Sequence, residues 1–266
     1  MAYISPMLTN IVTIVKKVSV NLNRDFSEIE RLQTSIKGSV DFVRVAYERM
    51  QKNIGYELSK FGEAYPVVFA GKNPNKLSSY FRVSVIDGLT NFAHGNPEFA
   101  ISVALIDKGI VIAGVIYNPC RDELFFAEKG KGAFKEGFRS HERLRVSAKQ
   151  DLEGAIIAVK PDINDKETSY KVMSGIIAQG AEVRVSGCLA LDLAYVAGGK
   201  LDGIIAPNAM QASFSAGMLI VKEAGGMVLD MEQDDTRTEN LAMVLNNGNL
   251  VGVNFNLSQK IAKVFK

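Results

Sequence analysis

The sequence predicts a mixed α/β fold whose first half is rich in antiparallel strands and whose second half alternates strands with helices. Three observations carry that expectation. Apolar residues recur at helical spacing through the first sixty positions. Two β-branched apolar runs, Ala100 to Ile106 and Ile110 to Tyr117, flank the turn residues Asp107-Lys108-Gly109. Beyond about residue 150, short apolar runs of strand length alternate with longer amphipathic ones.

Taken in order, the chain opens with an amphipathic helix in which Ser5 is the N-cap, Pro6 lies in the first turn, and Leu8, Ile11, Val12 and Val15 share a face. A second helical run covers Phe42 to Phe61. Gly62 to Tyr80 is less regular, with Gly71-Lys72-Asn73-Pro74-Asn75 a loop on its turn chemistry. Strand texture begins at Val83. Ala100–Ile106 and Ile110–Tyr117 read as a hairpin, and Asn118-Pro119 turns the chain into Glu123–Ala127 and the glycine-punctuated stretch ending at Phe134. Strands are then expected at Ala155–Val159, Val183–Ser186, Leu201–Ala206, Met227–Asp230 and Ala242–Asn246. Helices are expected at Ser169–Gln179, Leu189–Ala197, Ser215–Ala224 and Leu257–Val264, the third ended by Gly225-Gly226. The division predicted is 1–150, an α+β part with an antiparallel-rich sheet, and 151–266, an α/β part, packed as one compact unit.

Composition narrows the function. The 266 residues carry 31 Lys+Arg against 29 Asp+Glu, a formal charge of +2, which argues against a protein that grips a phosphate backbone by bulk charge. With 47% hydrophobic and 23% charged residues the chain is globular in character. Two cysteines, Cys120 and Cys188, make no disulfide framework, and with two histidines they leave little for a Cys/His zinc site. Met1 to Val15 is shorter than a membrane span and interrupted by Pro6 and Asn10. Lys16 and Lys17 follow its apolar residues, the wrong order for a signal peptide. A cytoplasmic location without membrane contact is expected.

The segment Ser84-Val85-Ile86-Asp87-Gly88-Leu89-Thr90-Asn91-Phe92 ends an apolar strand. With Ala100–Ala104, Gly114–Pro119, Glu128–Phe134, Leu191–Gly199 and Ala216–Gly226, it closely resembles the inositol monophosphatase family, whose motif reads D-P-[IL]-D-G-T-x-N-F. Lys37-Gly38 and Asp41-Phe42-Val43 extend the match to nearly the whole chain. The resemblance implies a layered αβαβα sandwich, usually dimeric, and a Mg²⁺-dependent phosphomonoesterase whose clustered carboxylates hold the metals that neutralise phosphate and activate water.

Carried over position by position, the family's metal site falls on Lys72, Ser84, Ile86, Asp87 and Ser213, and only Asp87 keeps a carboxylate ligand. The residues that orient the attacking water fall on Tyr47 and Leu89, and the acidic contact to substrate hydroxyls falls on Ala206. At an effective dielectric near 20, a unit charge pair about 4 Å apart is worth roughly 4 kcal/mol. Three missing carboxylates therefore remove more than the ~4–8 kcal/mol of millimolar-to-micromolar binding. The implied reading is a family member that has lost Mg²⁺-dependent catalysis and binds no cofactor, serving a binding or regulatory role. One bacterial branch of the family acts in transcription antitermination and ribosome biogenesis through protein contacts, which suggests a partner of that kind beside a homodimer. The rival is an active inositol or sugar phosphatase with Mg²⁺ in an improvised site built from Asp87, Ser84, Ser213 and backbone carbonyls.

Residues of the segment also have plain structural readings. Asp87 is read as a cap for a helix starting near Gly88, and the Gly88 and Leu89 N–H groups as a weak phosphate-binding candidate. Lys37 and Lys72 are read as solvated lysines, His94 as a loop residue and Cys188 as a small buried thiol; Asp192 and Asp230 are read as structural hydrogen-bonders. Ala206, Pro207, Met210, Ala212 and Phe214 are expected to line the old pocket with apolar atoms, as collapsed core or as a contact patch.

Overall fold

Helix α1 (Pro6–Leu32) starts as its capping chemistry dictates: the Ser5 hydroxyl accepts the Leu8 N–H at 3.2 Å. Leu8, Ile11 and Val15 are buried, and Val12 lies half-buried at the edge of that face. Helix α2 (Ile36–Ser59) packs beside it and sends Val43, Ala46, Met50, Ile54 and Leu58 into the same core, the three-to-four spacing of one helical stripe. The computed structural model describes residues 4–32, 36–137, 140–233 and 237–265, and the Lys37 side chain lies outside what is described.

Seven strands then form one sheet in chain order: β1 (Val67–Phe69), β2 (Tyr80–Asp87), β3 (Ala100–Asp107), β4 (Ile110–Asn118), β5 (Glu123–Glu128), β6 (Gly132–Lys135) and β7 (Glu142–Arg143). All neighbours are antiparallel except β1 and β2, which run parallel. The β3–β4 hairpin turns through Lys108 and Gly109, both at positive φ (50° and 76°), so the two-residue turn twists with its strands. Strand β1 falls in the stretch that reads as irregular, because three residues are too few to show a period.

Helix α3 (Leu89–Ala93) joins β2 to β3 and packs against α2, with Phe92 in the first core; the second half gives the remaining layers. Strands β8 (Ile156–Val159), β9 (Glu182–Arg184), β10 (Gly203–Ala206), β11 (Met227–Asp230) and β12 (Leu250–Val253) form a second, mixed sheet in the order β11-β12-β10-β8-β9. Helices α5 (Leu189–Ala197) and α6 (Gln211–Glu223) lie between the two sheets, while α4 (Lys166–Ala178) and α8 (Phe255–Phe265) cover the outer face of the second. The result is the five-layered αβαβα arrangement. Close approach within the middle layer depends on Gly217, where a Cβ would lie 2.5 Å from the Leu193 Cβ.

One element differs in type from its sequence reading. Ala242–Asn246, expected as a strand, lies inside helix α7 (Leu241–Asn247), and β12 takes the place in the sheet between β10 and β11 instead. The Asn240 side chain accepts the Met243 N–H at 3.1 Å and Gly248 closes the helix at φ 74°, so local capping decides a short apolar run that periodicity leaves ambiguous. Helix α4 starts three residues earlier than expected because Asp165 caps it, accepting the Thr168 N–H at 3.0 Å.

Candidate functional site

Every residue of β2 is buried, and its pairing with β3 shifts register between Ser84 and Asp87. Gly88 follows at φ 83°, and a Cβ there would lie 2.7 Å from the Glu98 carbonyl oxygen, so this reversal accepts only glycine. Asn91 fixes the next turn, its amide donating to the Glu98 carbonyl at 2.7 Å and the Ser186 carbonyl at 2.8 Å. The strand end is thereby held against the start of α5.

Asp87 is a cap, but of a different helix from the one expected. Helix α3 has Gly88 at its N-cap and no side-chain cap bond. The Asp87 carboxylate instead crosses to α5 and accepts the Ala190 N–H at 2.7 Å. The reason lies in the partner: the N-cap of α5 is Cys188, whose own side chain makes no cap bond. The Cys188 thiol donates to the same carboxylate oxygen at 3.4 Å, and the Ser213 hydroxyl donates to the carboxylate as well.

A cavity of about 230 Å³ opens beside this carboxylate, with Asp87, Gly88, Leu89, Lys160, Cys188 and Ser213 among its walls. Lys160 has no counterpart in the sequence reading. It follows an apolar strand directly and so looks like a solvated lysine, yet its ammonium is half-buried and lies 3.4 Å from both the Pro207 and Asn208 carbonyl oxygens. Burial pushes the Lys160 amine down, and the charges of Asp162 and Asp87 push it back up. Burial likewise pushes the Asp87 carboxyl up, against the Ala190 N–H, the Ser213 and Cys188 donors and the Lys160 charge. Burial, with the Asp87 and Asp192 charges adding to it, holds the Cys188 thiol well above its ordinary range, so it is a proton donor here and not a nucleophile.

The other positions carried over from the family are scattered. Gly88 and Leu89 line the cavity, with Leu89 exposed at the first position of α3. Ser213 lines it too. Ser84 is buried and pairs with Ser102, whose hydroxyl is buried without a hydrogen-bond partner. Ile86 packs into the core beneath α1 and α2, and Tyr47 sits half-buried against that core with its hydroxyl bonded to Gln51. Lys72 is exposed in the loop after β1. Of the residues expected to line the old pocket as collapsed core or contact patch, Ala206, Ala212 and Phe214 are fully buried in the core, Pro207 faces a different cavity, and Met210 reaches this one. Helix α6 turns Phe214 inward between the sheets, and the cavity wall combines Asp87, Asp192, Lys160 and Ser213 with the apolar side chains of Leu89, Pro161, Leu189 and Met210. His94 caps the end of α3, its Nδ1 2.8 Å from the Thr90 carbonyl oxygen, away from any nucleophile.

These residues do not fit a Mg²⁺ centre of the family's kind. A hard octahedral cation needs several anionic oxygens, and the cavity offers two carboxylates, both engaged: Asp87 accepts from Ala190, Cys188 and Ser213, Asp192 accepts from the Ser186 hydroxyl, and the Lys160 ammonium shares the cavity. Among the described residues no group of three or more His, Cys, Asp or Glu side chains is arranged to hold a metal ion. No chemical step is therefore routed through a metal here.

Comparison with known proteins places this geometry. An "Inositol-1-monophosphatase" of Mesorhizobium japonicum is 36% identical over 249 residues, covering 91% of this chain and 92% of its own. The "Nus factor SuhB" of Escherichia coli K12 is 32% identical, covering 85% of each chain. The crystal structure of the extragenic suppressor protein SuhB from Bartonella henselae superimposes with a TM-score of 0.83 at 35% identity, over 98% of this chain and 99% of that one. The family model described as the inositol monophosphatase family matches residues 4–265, and the chain belongs to that family.

Proposed function

We propose that this chain keeps the family scaffold without Mg²⁺-dependent phosphomonoesterase activity and acts by binding. The observation that carries the reading is the use of the cavity's carboxylates: Asp87 is spent as a helix cap, Asp192 is held by the Ser186 hydroxyl, and Lys160 shares the cavity with them. An ammonium at that place repels a divalent cation, and the serines at positions 84 and 213 supply no compensating charge. The likeness to proteins named Nus factors supports a regulatory role with transcription machinery as partner. Homodimerisation, a cytoplasmic location and independence of cofactors belong to the same proposal; among the described residues no helix is long and apolar enough to cross a membrane.

The likeness to a protein named inositol-1-monophosphatase supports the second reading, an active phosphatase with an atypical site. One pair of measurements separates the two. Under the first reading, millimolar Mg²⁺ leaves the Tm unchanged relative to Na⁺ at equal ionic strength, because an ion that does not bind the native state cannot stabilise it. Inositol monophosphate and generic phosphate monoesters are then not hydrolysed above background. A Mg²⁺-specific rise in Tm, with turnover that Asp87→Asn abolishes, establishes the second.

A further inference from the structure

Arg82 stands in the middle of β2, a strand otherwise made for the core, and only 6% of its surface is exposed. A buried guanidinium is costly unless it is paired and its N–H groups are satisfied. Here the satisfaction is partial. Nη1 donates to the Lys72 carbonyl at 2.7 Å and the Phe69 carbonyl at 3.2 Å, while Nε is buried with no hydrogen-bond partner. Among the described residues no carboxylate pairs with it.

The guanidinium forms part of the wall of a cavity of about 700 Å³ between the loop after β1 and the junction of α6 with α7. Lys72, Asn73, Tyr80, Gln211 and Asn246 line the same cavity, and no Asp or Glu does. The walls thus combine two cations with neutral hydrogen-bonding side chains. Lys72 and Asn73 are exposed, so the cavity opens to solvent at that loop. It shares no lining residue with the cavity beside Asp87.

We propose that this cavity is a separate, metal-independent binding site for a small molecule bearing a phosphate group, anchored by Arg82 and Lys72. The two backbone carbonyls hold the guanidinium fork in one orientation, so an incoming oxyanion finds donors already arranged. A tetrahedral phosphate has enough oxygens to engage the fork, the Lys72 ammonium and the amide donors together, whereas a carboxylate uses two. The anion also supplies the counter-charge that the buried guanidinium lacks. The proposal stands whether or not the Asp87 cavity is catalytic.

The probe is inorganic phosphate, titrated into the full-length protein in chelator at constant ionic strength set with NaCl, and followed by calorimetry and Tm. The expected result is saturable binding with a rise in Tm. Affinity falls about tenfold or more in Arg82→Gln and about threefold in Lys72→Ala, the losses of a charge-assisted pair when buried and when exposed. Lys160→Gln, in the other cavity, binds phosphate as the parent does. The proposal is overturned by absence of saturation, by acetate binding as tightly as phosphate, or by an affinity loss in Lys160→Gln that Arg82→Gln does not share. Should Arg82→Gln fail to fold, Lys72→Glu at an exposed position decides alone: phosphate affinity equal to the parent's overturns the assignment.

Discussion

Asp192, in the first turn of α5, is 4% exposed and accepts a hydrogen bond from the Ser186 hydroxyl at 2.8 Å. Burial pushes its carboxyl from 3.8 up to about 7, the nearby charges of Asp87 and Glu98 adding to the effect against the Ser186 bond. Between those two values the folded chain holds a proton that the unfolded chain has released. Stability therefore falls as pH rises from about 4 to about 7 and levels off above. Asp192→Asn keeps a side-chain acceptor for Ser186 and removes the ionisation, so its stability relative to the parent should climb across that window and be greatest near pH 8. Denaturant midpoints at several pH values test this, and a difference independent of pH contradicts it. That Asp192 and Asp230 hold hydrogen bonds was legible from their place in family blocks, and Asp230 accepts the Asn247 amide at 2.6 Å. Lys160 and Arg82 were not legible as site residues: each becomes informative only through what the fold sets against it, carbonyls and a carboxylate in one case, a charge-poor cavity in the other.

Helix α5 and strand β10 were readable as elements because each carries an apolar run between turn residues, interrupted in α5 by Asp192, whereas α7 shows where such reading stops. Ala-Met-Val-Leu suits either a buried strand or one helical turn, and its period is too short to choose. The capping pair that flanks it does choose. Asn240→Ala should cost about 1 kcal/mol, the usual worth of an N-cap, measured by denaturant unfolding. No cost would show that packing of Val244 into the middle core, and not the cap, fixes the helix. The same principle explains Asp87. A sequence places an acidic residue before Gly-x-Thr-Asn and a cap is inferred, but which helix is capped depends on α5 arriving with an N-cap cysteine that makes no cap bond.

Among the described residues three apolar cores hold the layers together: one between α1/α2 and the first sheet, one around α5 and α6 between the sheets, and one under α4 and α8. Their pattern is spread over the whole chain, which is why the layered fold could be read from sequence while the chemistry, resting on a handful of positions, could not. Ser84 and Ser213 are polar side chains buried in β2 and α6, beside these cores. In the folded chain Ser213 donates to Asp87, and Ser84 lies three residues before it; both are buried. Restoring Ser84→Asp and Ser213→Asp together turns a donor to Asp87 into a second carboxylate beside it and buries a further carboxylate in β2. Repulsion and desolvation should lower metal-free stability by about 1–3 kcal/mol. Unfolding in chelator reads this directly, and a double variant that melts at or above the parent temperature refutes the view that these substitutions relieved electrostatic strain. On the proposed reading catalysis does not return, because the family's other water, metal and substrate positions, as carried over, fall on Tyr47, Lys72, Leu89 and Ala206. Stability, not turnover, is the quantity in which the history of this site is written.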